Sequence, residues 1–208
     1  MGKKETNLYH LSQFLPEGAF DLVAPYFSKH IIHLTLTRER KTILGDYRAP
    51  SGRTPYHRIT VNGNLNPYSF LITLLHELAH LLTYNLYKHQ VAPHGVEWKV
   101  QFQQILQPFI GQHFFPKDVE TALLAYIRNP AASTCSDTHL YKALHKYDSK
   151  EDPAEVMIEE LPQGAKFITN DGRLFEKQQL RRTRIACIEI TTNKIYLFPK
   201  IYTVKRMD

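Results

Sequence analysis

The sequence predicts an α+β protein: a largely helical domain with a small antiparallel sheet, followed by a small all-β module. Three observations predict it. Tyr68 to about Tyr87 runs without glycine or proline and is apolar on most sides, the mark of a buried helix. Short apolar alternations stand upstream of it, around residues 31–37 and 56–61. Beyond a polar stretch from Asp148 to Pro153 the chain turns into brief β-rich runs separated by turn residues. The division expected is residues 1–155 for the first domain and 156–208 for the second.

Leu8 to about Lys29 reads as helix, broken near Pro16, Glu17 and Gly18, with Leu11, Phe14, Phe20 and Val23 among its core candidates. Ile31 to Thr37 reads as a strand with Ile32, Leu34 and Leu36 on one side, and Thr42 to Tyr47 is expected to pair with it. Arg48 to Pro55 is a loop and Tyr56 to Val61 a further strand. Such a strand can merely cover the core, or its exposed edge can bind an extended peptide through main-chain hydrogen bonds. Asn66 is a good N-cap and Pro67 suits the first helical position, so the long helix starts there. Val96 to Leu106 is an amphipathic helix, Pro116 to Arg128 another, and Asp137 to about Tyr147 a shorter one. In the second module, strands are expected around Phe167, Phe175, Arg184 to Ile190 and Lys194 to Phe198, with turns at Asn170 to Gly172 and Thr192 to Lys194.

The chemistry sits in the long helix. His76-Glu77-Leu78-Ala79-His80 places two imidazoles one helical turn apart on one face. Two nitrogens at that spacing can grip one metal ion, with the intervening glutamate able to take a proton from water. A chance match would leave two histidines and a carboxylate buried in an apolar helix, which costs several kcal/mol unless they are paired or bind a metal. A divalent cation explains all three best. The third ligand is favoured to be His94, in the first turn of a second helix packed against the first; Glu97 and His89 are the alternatives. An extended motif with a glycine at 83 and a histidine at 86 is absent, because Thr83 and Leu86 stand there. Three protein ligands and an open position mark a catalytic rather than a structural zinc.

The His76–His80 helix, the short loop and His94-Gly95-Val96-Glu97-Trp98 resemble the SprT-like metallopeptidases, which include bacterial SprT proteins and Spartan-type DNA–protein crosslink proteases. His57 to Asn62 followed by Asn66-Pro67 is similar to the strand leading into that family's active helix. The likeness covers residues 8 to 125 well and the C-terminal end more loosely. It implies a zincin-like catalytic domain with His76, His80 and His94 as zinc ligands and Glu77 as general base. Many relatives carry a zinc ribbon after this domain. Here Asn170 to Arg173 occupies the turn where a cysteine knuckle is expected and Cys187 stands alone. The reading is therefore a ribbon-like hairpin without a second zinc, packed through Phe167, Phe175, Ile188, Tyr196 and Phe198, and one Zn2+ per chain.

Composition narrows the classes. Two cysteines, Cys135 and Cys187, are too few for a disulfide framework or a four-thiolate site. Neither a signal peptide nor an uninterrupted apolar span is visible, and Met1-Gly2 is no convincing myristoylation site, so the expected location is the cytoplasm. Charge is uneven: the formal net charge is +6 over 208 residues, and essentially all of it lies after residue 165. Arg181, Arg182 and Arg184, set among tyrosines and phenylalanines, suit a phosphate backbone; a solvated basic face is the alternative. Together these observations read as a zinc-dependent endopeptidase acting on protein or peptide, with DNA as a second partner. The alternatives are a zinc-containing nucleic-acid adaptor with little peptidase activity, and a hydrolase of small amides with a closed pocket. His57, Tyr56 and Arg58 are the first guesses for an oxyanion-stabilising residue.

Overall fold

The computed structural model describes residues 8–38, 40, 43–130, 137–148 and 155–207. The chain divides into two compact units, Met1–Asp148 and Ser149–Asp208. The first mixes helix and sheet. A 3₁₀ helix, Leu8–Phe14, leads to α1 (Phe20–Lys29), then β1 (Ile32–Thr37), β2 (Gly45–Arg48) and β3 (His57–Asn62). The helices α2 (Pro67–Tyr87), α3 (Val96–Leu106), α4 (Lys117–Tyr126) and α5 (Thr138–His145) follow.

The sheet order is β1-β3-β2, and the pairing differs from the antiparallel sheet expected. β1 runs parallel to β3, with Ile32 opposite His57 and Leu36 opposite Val61. β2 runs antiparallel to β3, with Gly45 opposite Val61 and Tyr47 opposite Ile59. β2 therefore pairs with the third strand and not with the first, and Thr42 lies outside the described residues. The reason is burial. β3 turns His57, Ile59 and Val61 inward, all buried, and so takes the central place, whereas β1 is only half-buried. Partners directly opposite in an antiparallel ladder share a face. Gly45 and Tyr47 thus face the same way as Val61 and Ile59.

That face lies against α2. Asn66 caps the helix by accepting from the Ser69 amide at 2.9 Å, and Pro67 occupies its first position. The cap is buried, and its amide also donates to the Leu144 carbonyl at 2.9 Å and to Asp148 at 2.7 Å, tying α5 to the start of α2. Phe70, Leu71, Ile72, Leu74, Leu75 and Leu78 are fully buried, so α2 is enclosed by sheet and helices alike. At about 25 cal/mol per Å² of apolar surface, each such side chain contributes roughly 1.5–3 kcal/mol, enough to hold a few polar groups inside.

The second unit is a six-stranded antiparallel sheet in the order β4-β9-β5-β6-β7-β8. Its strands are β4 (Glu155–Met157), β5 (Lys166–Ile168), β6 (Leu174–Arg181), β7 (Arg184–Glu189), β8 (Ile195–Pro199) and β9 (Thr203–Arg206). Phe167, Phe175, Ile185, Cys187, Phe198 and Val204 are at the centre of its core. Ile188, expected there, is one register step off and only half-buried; Ile185 and Cys187 point inward instead. Cys187 is fully buried, and burial pushes its thiol up to about 11, as suits a small core residue. The two turns of this sheet are joined by ionic contacts. Arg173 donates to Asp171 at 2.8 Å, reaches Glu189 at 3.7 Å and lies over the rings of Phe175 and Tyr196. Thr169 and Thr192 hydrogen-bond the same two carboxylates.

Candidate metal centre

His76 and His80 stand one turn apart on α2, and His94 sits in the turn just before α3, two residues ahead of Val96 and so outside the helix expected to hold it. That turn is closed by Gly95 donating to the Ala92 carbonyl at 3.0 Å. Gly95, in extended conformation, then starts α3. The three Nε2 atoms form a nearly equilateral triangle: 3.2 Å from His76 to His80, 3.2 Å from His76 to His94, and 3.1 Å from His80 to His94. Three ring nitrogens converging on one point cannot all hydrogen-bond one another, since each ring directs its lone pair or proton along a single axis. A cation at the centre satisfies all three at once. Tetrahedral metal–imidazole bonds of about 2.0–2.1 Å place ligand nitrogens roughly 3.3 Å apart, so the donor set fits a metal.

Trp98, fully buried on α3, packs against all three rings at centroid distances of 4.6, 5.3 and 4.8 Å, and Phe102 stacks beneath it. This aromatic floor dries the site. Burial, reinforced by the neighbouring imidazoles, holds His76 down to about 3, and His80 sits at about 3 for the same reasons. His94 is lowered by burial. The imidazoles are therefore neutral near pH 7 and ready to ligate.

Glu77 is buried beside the triangle, and burial followed by the charge of Asp46 pushes its carboxyl up to about 8, with Arg40 pulling the other way. β2 passes directly above it. A Cβ on Gly45 would stand 2.6 Å from a Glu77 carboxylate oxygen and 2.7 Å from the Thr73 methyl, so only glycine lets the strand come this close. Tyr47, two residues on, lies beside His80 with ring planes 8° apart. Its hydroxyl is 2.9 Å from His57 Nδ1. A cavity of about 690 Å³ opens here, walled by β2, by α2 from Thr73 to Tyr84, and by the loop from Lys88 to His94.

Of the other ligands considered, Glu97 folds back beside Gly95 and His89 packs on Tyr84 at 5.2 Å. Neither belongs to the metal-capable group, which among the described residues is His76, His80 and His94. None of the three oxyanion guesses lines the cavity. His57 is buried behind Tyr47, Tyr56 stacks on His33 at 3.6 Å, and Arg58 pairs with Arg48 on the sheet face turned away from α2. Gly45 and Tyr47 escaped the sequence reading, although a lone glycine in a strand-like run is a signal for close backbone approach. In the second unit, Arg181, Arg182 and Arg184 gather at the tip of the β6–β7 hairpin, all exposed, with Arg182 in the left-handed region at φ 56°.

Three imidazoles converging on one point thus form a group that could hold a metal ion, with a buried carboxyl beside them and an open cavity in front. The sequence model of the SprT-like family matches residues 21–120, a match that supports membership of that family. No curated protein and no solved structure matches the chain. No helix among the described residues is long and apolar enough to cross a membrane.

These titrations predict how metal-free protein responds to pH. His76 and His80 move from 6.5 to about 3 on folding, so below 6.5 the unfolded chain binds more protons and stability falls as the solution becomes acid. Glu77 moves from 4.5 to about 8, so the folded chain holds an extra proton between those values and its contribution falls as pH rises. The two limbs place maximal stability of the chelator-treated protein at about pH 6.5. Urea denaturation across the pH range measures it. Glu77→Gln should flatten the alkaline limb and steepen the acid limb between 4.5 and 6.5, and an unchanged alkaline decline in that variant would assign it elsewhere.

Proposed function

We propose that this protein is a zinc-dependent endopeptidase. The observation that carries the reading is the placing of Glu77 beside three converging imidazoles, beneath a strand whose outer edge pairs with no other strand among the described residues. His76, His80 and His94 would hold the ion, and the chemistry that a bound zinc supplies is Lewis acidity, which acidifies water and polarises a carbonyl. Nitrogen donors without thiolate, and three of them rather than four, favour zinc in a catalytic setting.

The chain's own residues supply the rest. A peptide adds along the free edge of β2 by main-chain hydrogen bonds, which aligns its backbone without demanding a particular sequence. Glu77 takes a proton from the attacking water at its carboxylate oxygen and delivers it to the leaving amine nitrogen. The dry pocket that raises its pKa makes it a stronger base once ionised. The Thr73 and Thr83 hydroxyls are spent on the Ser69 and Ala79 carbonyls of their own helix, at 2.7 and 2.8 Å. Tyr47 lies beside His80, and with His57 Nδ1 donating to its oxygen its own hydroxyl proton is left to steady the carbonyl oxygen.

Cleavage of an unfolded protein such as casein by metal-loaded enzyme tests this. Glu77→Gln should keep metal and fold while kcat/KM falls by roughly 10²–10⁴. His94→Ala should instead lose the metal. A Glu77→Gln variant as active as wild type would remove the general-base assignment, and full metal content in His94→Ala would remove the third ligand.

DNA is the second partner we propose, through Arg181, Arg182 and Arg184, which stand exposed together at one hairpin tip. Binding through phosphates releases counterions, so affinity should fall steeply with salt, and reversing all three to glutamate should weaken it for every sequence alike. Fluorescence anisotropy with unrelated oligonucleotides checks both; a triple variant that binds as well as wild type would make the tip a solvated face.

A further inference from the structure

Beyond His80 the cavity wall changes character. Tyr84 stands one turn further along α2 and Lys88 a second turn on, as the helix C-cap. Lys88 adopts φ 54° and ψ −127°, a backbone region that glycine enters freely and a residue with a Cβ does not. Helix ends that need positive φ ordinarily carry glycine or asparagine. A lysine is held here against that preference; it is an exposed residue of the cavity lining, and its ammonium lies 4.9 Å from the centroid of the Tyr84 ring. Tyr84 itself leans against Tyr47, whose ring lies beside His80, so the lysine is joined to the metal centre through two packed rings.

The charge around it is one-sided. The acidic residues of the wall are Asp46, on β2, and Glu77; from His80 through His94 the lining contains none. Among the described residues no carboxylate forms an ion pair with Lys88. A cation beside an aromatic face at the end of a groove, with no carboxylate partner among the described residues, is a site for an anionic group brought by the ligand.

The geometry fixes where that group must stand. β2 runs from Gly45, above Glu77, towards Arg48, and a strand added antiparallel to it runs from the Lys88 end towards Glu77. Antiparallel addition is the slightly more stable pairing. Tyr84 lies about 6 Å along the helix from His80, and an extended chain advances about 3.3 Å per residue. We propose that Lys88, seated on Tyr84, is the specificity determinant of the groove and selects substrates with an aspartate or glutamate about two to three residues N-terminal to the bond cleaved. This rests on the peptidase reading for its direction and register.

The test uses metal-loaded Glu77→Gln full-length protein, which holds peptides without turning them over. Fluorescent peptides of one extended sequence carry Glu, Gln or Lys on the N-terminal side of the bond, and a mirror set carries them on the C-terminal side. The Glu peptide of the first set should bind on the order of tenfold more tightly than the Gln peptide, with a preference that shrinks as salt rises. Adding Lys88→Ala should abolish the preference, Lys88→Glu should transfer it to the Lys peptide, and Lys88→Arg should retain it. Equal affinity for Glu and Gln peptides, a preference that survives Lys88→Ala, or one confined to the mirror set would overturn the proposal. The two readings fail separately. Wild-type protein that cleaves nothing while the charge preference and its reversal persist would sink the peptidase reading and leave Lys88 as a carboxylate-binding residue. Efficient cleavage that is blind to the acidic residue, with equal binding, would do the reverse.

Discussion

Three imidazole nitrogens are held 3.1–3.2 Å apart in the interior of an apolar helical layer, and most of the first unit serves that convergence. Two of the rings are fixed by the pitch of α2 and the third by a turn closed before α3. Neither arrangement is stable alone. α2 carries two histidines and a glutamate into the core, so it must be enclosed by enough apolar surface to offset them, which accounts for its leucine- and phenylalanine-rich faces. The Asn66 cap, satisfied on both its oxygen and its nitrogen, fixes where the helix starts and therefore where its histidines fall.

The same enclosure sets the electrostatics. Without a metal, the site is a group of neutral imidazoles beside a carboxyl that burial drives towards its protonated form. A divalent cation relieves both strains, because it takes the nitrogen lone pairs and favours the ionised glutamate. Metal binding at this group would therefore be coupled to folding: the apolar packing that builds the site also makes it costly when empty. Gly45 belongs to the same balance. A side chain there would collide with Glu77, and without β2 at that distance the carboxyl would be solvated and no longer held towards its protonated form.

Features governed by local spacing were legible in the sequence. The extent of α2, its cap, the pair of histidines one turn apart and the helix beyond His94 all follow from residues within a few positions of one another. Features set by long-range pairing were not. β2 is four residues long, and its partner could not be read from its own pattern; the choice of β3 over β1 goes with which strand carries the buried inward face. Tyr47 and Gly45 joined the site only through that register. His57 was noticed for its chemistry, yet its buried place behind Tyr47 follows from the face of β3 it occupies. In the second unit, the turns at Gly172 and Asn193 announced themselves by their residue types, with φ of 81° and 55°. The short strands β4 and β9 have too few residues to show a period, and they emerge only through pairing, β4 with β9 and β9 with β5 as well.

The account stands on the identity of the metal's neighbours. X-ray absorption at the zinc edge, on full-length protein loaded with one equivalent of zinc, measures them directly. The three converging imidazoles predict three nitrogen ligands and a light atom at about 2.0–2.1 Å, with no sulfur bound to the zinc. A sulfur shell near 2.3 Å, which would bring in Cys135 or Cys187, or a zinc with fewer than three imidazoles, would contradict it.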